Sequence, residues 1–399
     1  MVRLLVGDIG KRVNLSLLET EKDVNEIKDF SKDFRVLYMD SYPLRIYSDL
    51  SEMIKAFLAD APGTLDLLQE PITKACFAVP SPVTEDKIVR SGWEKSRGLT
   101  KESQWGELNT ESLIQKLKIE QISLINDFEA VCYGIHLLRT SRQIQEDLYL
   151  LNKEKHSPTN NDSCQTNFAV VGAGTGLGEA FMVIEKEEIK KVCATEGAHA
   201  DFPCRFEEEY ELYEFLRKKY CEQNQDSHHI SVERIVSGQG IIDIYQFLRE
   251  DKNLLKNKQS NPELQELDDD GLQELDDEIK IWENENKEDS HGDRGEKSVD
   301  PAAEISKFAL LRKSELCQKT MKIFLSAFGR EIRNFILKTW SNGGLYIAGG
   351  IAPRILPLLE DDDTFREALG KDLYDKMPIY VVLNRNVVLM GAAFCAVHL

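Results

Sequence analysis

The chain has 399 residues, enough for two or three domains with cores of their own. Its 42% hydrophobic and 30% charged residues are those of a soluble globular protein, and its apolar runs fall well short of the roughly 18 residues a membrane span requires. A net charge of −19 excludes the broad basic surface that nucleic-acid binding demands, so neither nucleic acid nor membrane is expected as a partner.

In chain order, an apolar strand over residues 3–6 follows the N-terminus directly, with an acid at Asp8. That is not a signal peptide, and a cytoplasmic chain is expected. A second strand is predicted at 13–18 and a helix at 50–59. A strand at 75–79 is stopped by Pro80, Ser81 and Pro82. A helix at 110–118, a strand at 121–126 and a helix at 129–138 come next, the last with apolar residues at helical spacing.

The stretch from Phe168 to Gly178 carries the most information. An apolar, β-branched run stops at four glycines spaced two apart, Gly172, Gly174, Gly176 and Gly178. So many missing Cβ atoms suit a backbone that turns tightly or is closely approached. With the hydroxyl of Thr175, the segment reads as a strand and a turn whose N–H groups face an anion. A ligand-free glycine hairpin is the bland alternative. A P-loop is excluded because Glu179, not Lys-Ser/Thr, follows the last glycine. The dinucleotide fingerprint fails because Leu177 stands where its third glycine should be.

A strand at 180–184 completes a strand–glycine turn–strand unit that echoes residues 4–18, so a duplicated α/β architecture with a cleft between the halves is predicted. A long helix over 308–339, a strand over 345–348 ended by Gly349 and Gly350, a helix opening near Pro353 and a C-terminal helix over about 386–399 close the chain.

Eight cysteines stand singly without a Cys-x-x-Cys pair, so neither a zinc site nor a disulfide framework is expected. Residues 251–300 hold 17 acidic against 7 basic residues, a net of −10, and repeat themselves at Leu264–Asp270 and Leu272–Glu278. Such a stretch buries little apolar area. It reads as a solvated, disordered insertion at about 252–300 with a short helix near 263–283, or as a docking site for a basic partner.

Five segments, in order, resemble the bacterial-type glucokinase family of the hexokinase, actin and Hsp70 superfamily. They are Leu5-Val-Gly-Asp-Ile-Gly10, Leu124-Ile-Asn-Asp-Phe128, Val171 to Gly178, Glu196 to Phe202 with Ser231 to Gly238, and Tyr346 to Pro353. The resemblance implies two ribonuclease-H-like (actin/hexokinase-type) α/β domains with a cleft between them. Residues 1–137 and 386–399 would form the smaller domain, and 138–385 the larger.

The activity it implies is ATP-dependent phosphorylation of glucose at O6. Asp127 would be the general base, and Asn126, Asp127, Glu196, His199 and Glu233 would hold the sugar. Gly10, Gly172, Gly174, Thr175 and Gly176 would wrap the phosphates, Gly349 and Gly350 would admit the adenosine, and Asp8 would act on Mg²⁺ through water. By residue type alone, Asn126-Asp127 reads as a helix N-cap, His199 as a structural histidine and Glu233 as a solvated helix-start acid; their place in the motifs reverses that. A homodimer is a further expectation.

One turn departs from the pattern. The family continues Gly-Asp-Ile-Gly with Gly-Thr, whereas Lys11 and Arg12 follow Gly10 here. The two cations either reach the γ-phosphate in place of backbone N–H groups, or spoil the turn and leave a sugar sensor or regulator. A kinase for another hexose is the remaining alternative. Retained activity is favoured, because phosphate stabilisation is spread over several donors. Residues 100–105 match the family only loosely and carry no sugar contact.

Overall fold

A computed structural model describes the chain except for residues 11, 64, 66–69, 85–86, 89–104, 106–107, 142–143, 154–165, 221–228, 251–272, 274 and 283–299. The principal strands of the first half are β1 (Val2–Ile9), β2 (Arg12–Thr20), β3 (Arg35–Pro43), β4 (Ile72–Val79) and β5 (Gln121–Asn126). Helices α1 (Leu50–Asp60), α2 (Thr110–Leu117) and α3 (Asp127–Thr140) accompany them. The second half holds β6 (Leu148–Leu150), β7 (Thr166–Ala173), β8 (Leu177–Glu185) and β9 (Glu188–Thr195). It continues with α4 (Glu207–Tyr220), α5 (Gly238–Glu250), α6 (Pro301–Leu310), α7 (Glu315–Thr339), β10 (Gly344–Ala348), β11 (Ile379–Val382) and α8 (Val387–Val397).

The two sheets repeat one plan. The first runs β3-β2-β1-β4-β5 and the second β9-β8-β7-β10-β11, with β6 added at its edge. In each, the first three strands are antiparallel and the next two parallel. The predicted duplication is therefore present as two ribonuclease-H-like α/β domains. Two helices lie between the sheets: α8 packs on β1 and β4, α3 packs on β8 and β9, and the helices pack on each other. One core cluster spans both sheets, from Leu4, Val6 and Cys76 to Val170, Ala180 and Met182.

The helices cross through two glycines. A Cβ at Gly134 would fall into the backbone of Val387, and one at Gly391 into that of Ala130. Replacing a helical glycine by alanine gains about 1 kcal/mol of helix propensity. Here it forces two backbones apart, and overpacking costs about 1–3 kcal/mol or more. Because the obstacle is main chain and not a yielding side-chain tip, the clash wins. Gly391→Ala is expected to lower urea-unfolding stability; a gain would show that the crossing has slack.

Two expectations change. The predicted helix over 308–339 is two helices. Arg312 adopts φ 53° between them, and Ser314 caps α7 by accepting from the Cys317 N–H at 3.1 Å. Apolar spacing continues through the break, so periodicity alone passes over it.

Second, the acidic segment is not wholly solvated. Residues 275–282 are helical, with Leu275 and Ile279 buried one turn apart. Asp276 accepts from the Tyr245 hydroxyl and from Arg249 Nε, each at 2.9 Å. Within the predicted disordered stretch, residues 252–272, 274 and 283–299 lie outside the described residues. Trp105, at the end of the loosely matching motif, is fully buried and donates to the Tyr47 carbonyl at 3.0 Å; the rest of that motif lies outside the described residues.

Candidate active site

Parallel strands present their carboxyl ends together, and such edges collect ligands. Asp8 on β1 pairs with Ala78 on β4, which pairs with Ile125 on β5. At about 4.8 Å per strand, Asp8 lies roughly 10 Å from the point where β5 ends in Asn126-Asp127.

Asn126 is the N-cap of α3. Its Oδ1 accepts from the N–H groups of Phe128 at 2.9 Å and Glu129 at 3.3 Å, and its Nδ2 donates to the Ser81 carbonyl at 3.4 Å. The capping alternative is thus real for Asn126, and it places Asp127 as the first helical residue. Asp127 is half-buried and accepts from the Phe128 N–H at 2.9 Å.

Phe128 joins this corner to the glycine hairpin. Gly172 and Gly178 pair across β7 and β8. A Cβ on Gly172 would come within 2.8 Å of the Phe128 ring, and one on Gly178 would enter it. Two of the four glycines are therefore explained by packing and not by phosphate. Gly172 lies inside the sheet ladder, between Gly178 and Ala348, which alters its expected role. Gly176 makes room for Glu233, whose Oε2 accepts from the Leu177 N–H at 2.9 Å. Only Gly174 has open surroundings, and Thr175 is exposed at the tip.

Three turns share one rim. Gly174 N–H donates to the Gly176 carbonyl, and Gly238 N–H at the start of α5 donates to the Gly174 carbonyl, both at 2.8 Å. Ile351 N–H donates to the Ala173 carbonyl at 3.2 Å, which holds Gly349-Gly350 beside the hairpin. Gly349 has φ +83°, and a Cβ there would strike Ala173, so the turn demands glycine. Gly349 and Gly350 are both exposed. The amino end of the 13-residue α5 adds its partial positive charge to this rim.

Glu196 and His199 lie on a short turn after β9, with Oε2 and Nε2 3.3 Å apart. A two-way ladder, Phe202 N–H to the Ile230 carbonyl at 2.9 Å and Val232 N–H to the Ala200 carbonyl at 3.0 Å, brings Glu233 to the same place. Partial burial pushes the Glu196 carboxyl up; the nearby imidazole opposes that shift and Glu233 adds to it. Sugar hydroxyls can both donate and accept, and this group of two carboxylates and an imidazole offers partners for both.

At the altered turn, Gly10 N–H donates to the Arg12 carbonyl at 3.0 Å. The Arg12 guanidinium is engaged sideways on β3, by Nε to Ser41 Oγ at 3.0 Å and Nη2 to the Ser41 carbonyl at 2.6 Å. The reading in which Arg12 serves phosphate must first break that pair. Lys11 lies outside the described residues. Asp8 Oδ2 accepts from Asn14 Nδ2 at 3.3 Å. Among the described residues no group of three His, Cys, Asp or Glu side chains is arranged to hold a metal ion directly. A single carboxylate fits Mg²⁺, which keeps most of its water and binds largely through substrate phosphates.

Phe128, Ser81 and the contact of Glu233 with Leu177 were not legible from motifs, since each joins segments remote in sequence.

The glucokinase family model matches residues 5–399. A glucokinase of a Nostoc species is 36% identical over the full length of both chains. A crystal structure of Balamuthia mandrillaris glucokinase in complex with glucose superposes with TM-score 0.69 at 18% identity, covering 99% of this chain and 93% of that one. A ROK family glucokinase from Streptomyces griseus, in complex with glucose and AMPPNP, gives TM-score 0.54 at 12% identity over 99% of both. The two structures establish the fold alone. With the family match across both domains and the full-length identity to the Nostoc enzyme, the chain belongs to the glucokinase family.

Proposed function

We propose that the chain transfers the γ-phosphoryl group of ATP to O6 of glucose, with Asp127 as general base. The observation that carries this reading is the seating of Phe128 on Gly172 and Gly178, which fixes the first turn of α3, and with it Asp127, to the base of the 173–177 hairpin. Asn126, Glu196, His199 and Glu233 hold the sugar. Asp127 takes the O6 proton as O6 bonds to phosphorus and the bond from phosphorus to the bridging oxygen of ADP breaks.

The phosphates meet Gly174, Thr175 and Gly176, with Gly10 across the cleft and Gly172 supporting from the sheet; Gly349-Gly350 takes the adenosine. Mg²⁺ supplies neutralisation of phosphate charge, and Asp8 would hold it through water. AMPPNP in the Streptomyces relative supports ATP as donor, and glucose in both solved relatives supports the sugar. The smaller domain is residues 1–137 with 386–399, and the larger 138–385; α3 crosses that boundary and runs to Thr140.

A coupled glucose 6-phosphate assay with MgATP tests the whole. Turnover with glucose is the expected result. Glucose binding without turnover would leave the sugar-sensor reading, which the sideways engagement of Arg12 favours. Faster turnover of another hexose would reassign the substrate.

A further inference from the structure

Glu179 follows Gly178 on β8, opposite Val171 of β7 and Thr195 of β9. Its side chain is only 1% exposed, and neither carboxyl oxygen has a hydrogen-bond partner among the described residues. Buried polar atoms in this condition are uncommon and call for an explanation. One oxygen lies directly beneath Gly197, where a Cβ would collide with it. Gly197 is the residue between the start and end of the Glu196–His199 turn. The same turn is tied to the Glu179 backbone: Thr195 Oγ1 donates to the Glu179 carbonyl at 3.2 Å and accepts from the Gly197 N–H at 3.3 Å.

We propose that Glu179 in its neutral form is a positioning residue that supports the Glu196–His199 turn in its sugar-holding shape, and that ionisation of Glu179 displaces the turn and weakens glucose binding. This rests on the reading of Glu196 and His199 as sugar ligands. The charged groups around the carboxyl explain the sign. From α7 come Glu331, itself buried, and Lys338; the turn above Gly197 carries Glu196 and His199, with Glu233 beside Glu196. Val171 and Thr195 on the flanking strands carry no charge, and α3 places the Phe128 ring beside Gly178.

A neutral acid adds no charge beneath this acidic group and keeps a proton with which to bond a backbone carbonyl as the turn closes on sugar. A carboxylate would be repelled by Glu331, with Lys338 as the opposing charge and no hydrogen-bond donor on either oxygen among the described residues. Burial, reinforced by Glu331 and opposed by Lys338, pushes the Glu179 carboxyl up to about 8. The folded protein thus keeps a proton that the unfolded chain loses in the ordinary glutamate range. Stability therefore falls as pH rises from the ordinary glutamate range to about 8, and E179Q removes the fall.

Isothermal titration calorimetry of glucose binding to the full chain, between about pH 6 and about pH 9.5, tests the idea. Wild type is expected to bind about tenfold more weakly one pH unit above the midpoint, because the binding-competent fraction falls to about a tenth. E179Q, which cannot ionise, should show no such weakening. E331Q removes the like charge, so its midpoint should move to lower pH. A wild-type affinity that is flat with pH, an E179Q profile that keeps the transition, or an E331Q midpoint that stays in place or rises would each overturn the proposal. A purely structural Glu179 would lower the melting temperature of E179Q and leave the pH course of binding untouched. Wild type that binds no glucose at any pH would sink the sugar-site reading first, and this inference with it.

Discussion

Asp127→Asn is expected to lower kcat for glucose phosphorylation by about 10²- to 10⁴-fold, the usual worth of a positioned general base. The amide has nearly the shape of the carboxylate but cannot take up the O6 proton. Helix α3 should survive the change, because its cap is Asn126, which holds the Phe128 and Glu129 N–H groups. The Phe128 wedge against Gly172 and Gly178 is likewise untouched. Glucose affinity by calorimetry should then change only a few-fold while the coupled assay loses its signal. Near-normal turnover in this variant would remove Asp127 from the role of base. A parallel collapse of glucose affinity would recast it as a sugar-holding group.

The parts of this site that depend on local chain chemistry were legible in advance. Strand β5 spans residues 121–126, the bounds predicted for it, and the Asn-Asp at its end sits at the sheet's carboxyl edge. The glycine hairpin is where strand and turn signals place it, and the repeated strand–turn–strand unit gives both sheets. What escaped depends on partners remote in sequence. The spacing of Gly172 and Gly178 looks like a ligand signature, yet its cause is a ring at residue 128. Strands β3 and β9 are edge strands with many exposed positions, so they lack the apolar run that marks β1 or β7. The burial of Glu179 has no sequence signal at all, since a glutamate beside a glycine turn ordinarily faces water.

The same reasoning gives the largest stability effect, at Arg330 on α7. Its guanidinium forms a two-pronged pair with Glu209 at the start of α4, 121 residues away, with Nη1 2.9 Å from Oε2. Each side chain is only 6% exposed. Glu209 Oε2 also accepts from the Arg205 N–H at 2.7 Å and the Phe206 N–H at 3.3 Å. The guanidinium lies 5.5 Å from the Phe202 ring centroid and 5.8 Å from that of Phe206. The pair therefore braces residues 202–206, which follow the Glu196–His199 turn in the chain.

Replacing a buried pair by apolar side chains is often neutral, whereas removing one partner strands a charge and costs about 3–5 kcal/mol. Arg330→Met should lose that much stability in urea unfolding and raise the glucose KM through the loosened segment. Arg330→Met with Glu209→Met should recover part of the loss. Recovery stays incomplete, because the Arg205 and Phe206 N–H groups then lose their acceptor. A coupling of about 0.5–3 kcal/mol is the expected mark of contacting residues. Additive losses in the double variant would mean that the two side chains act separately, and that the brace on the sugar segment lies elsewhere.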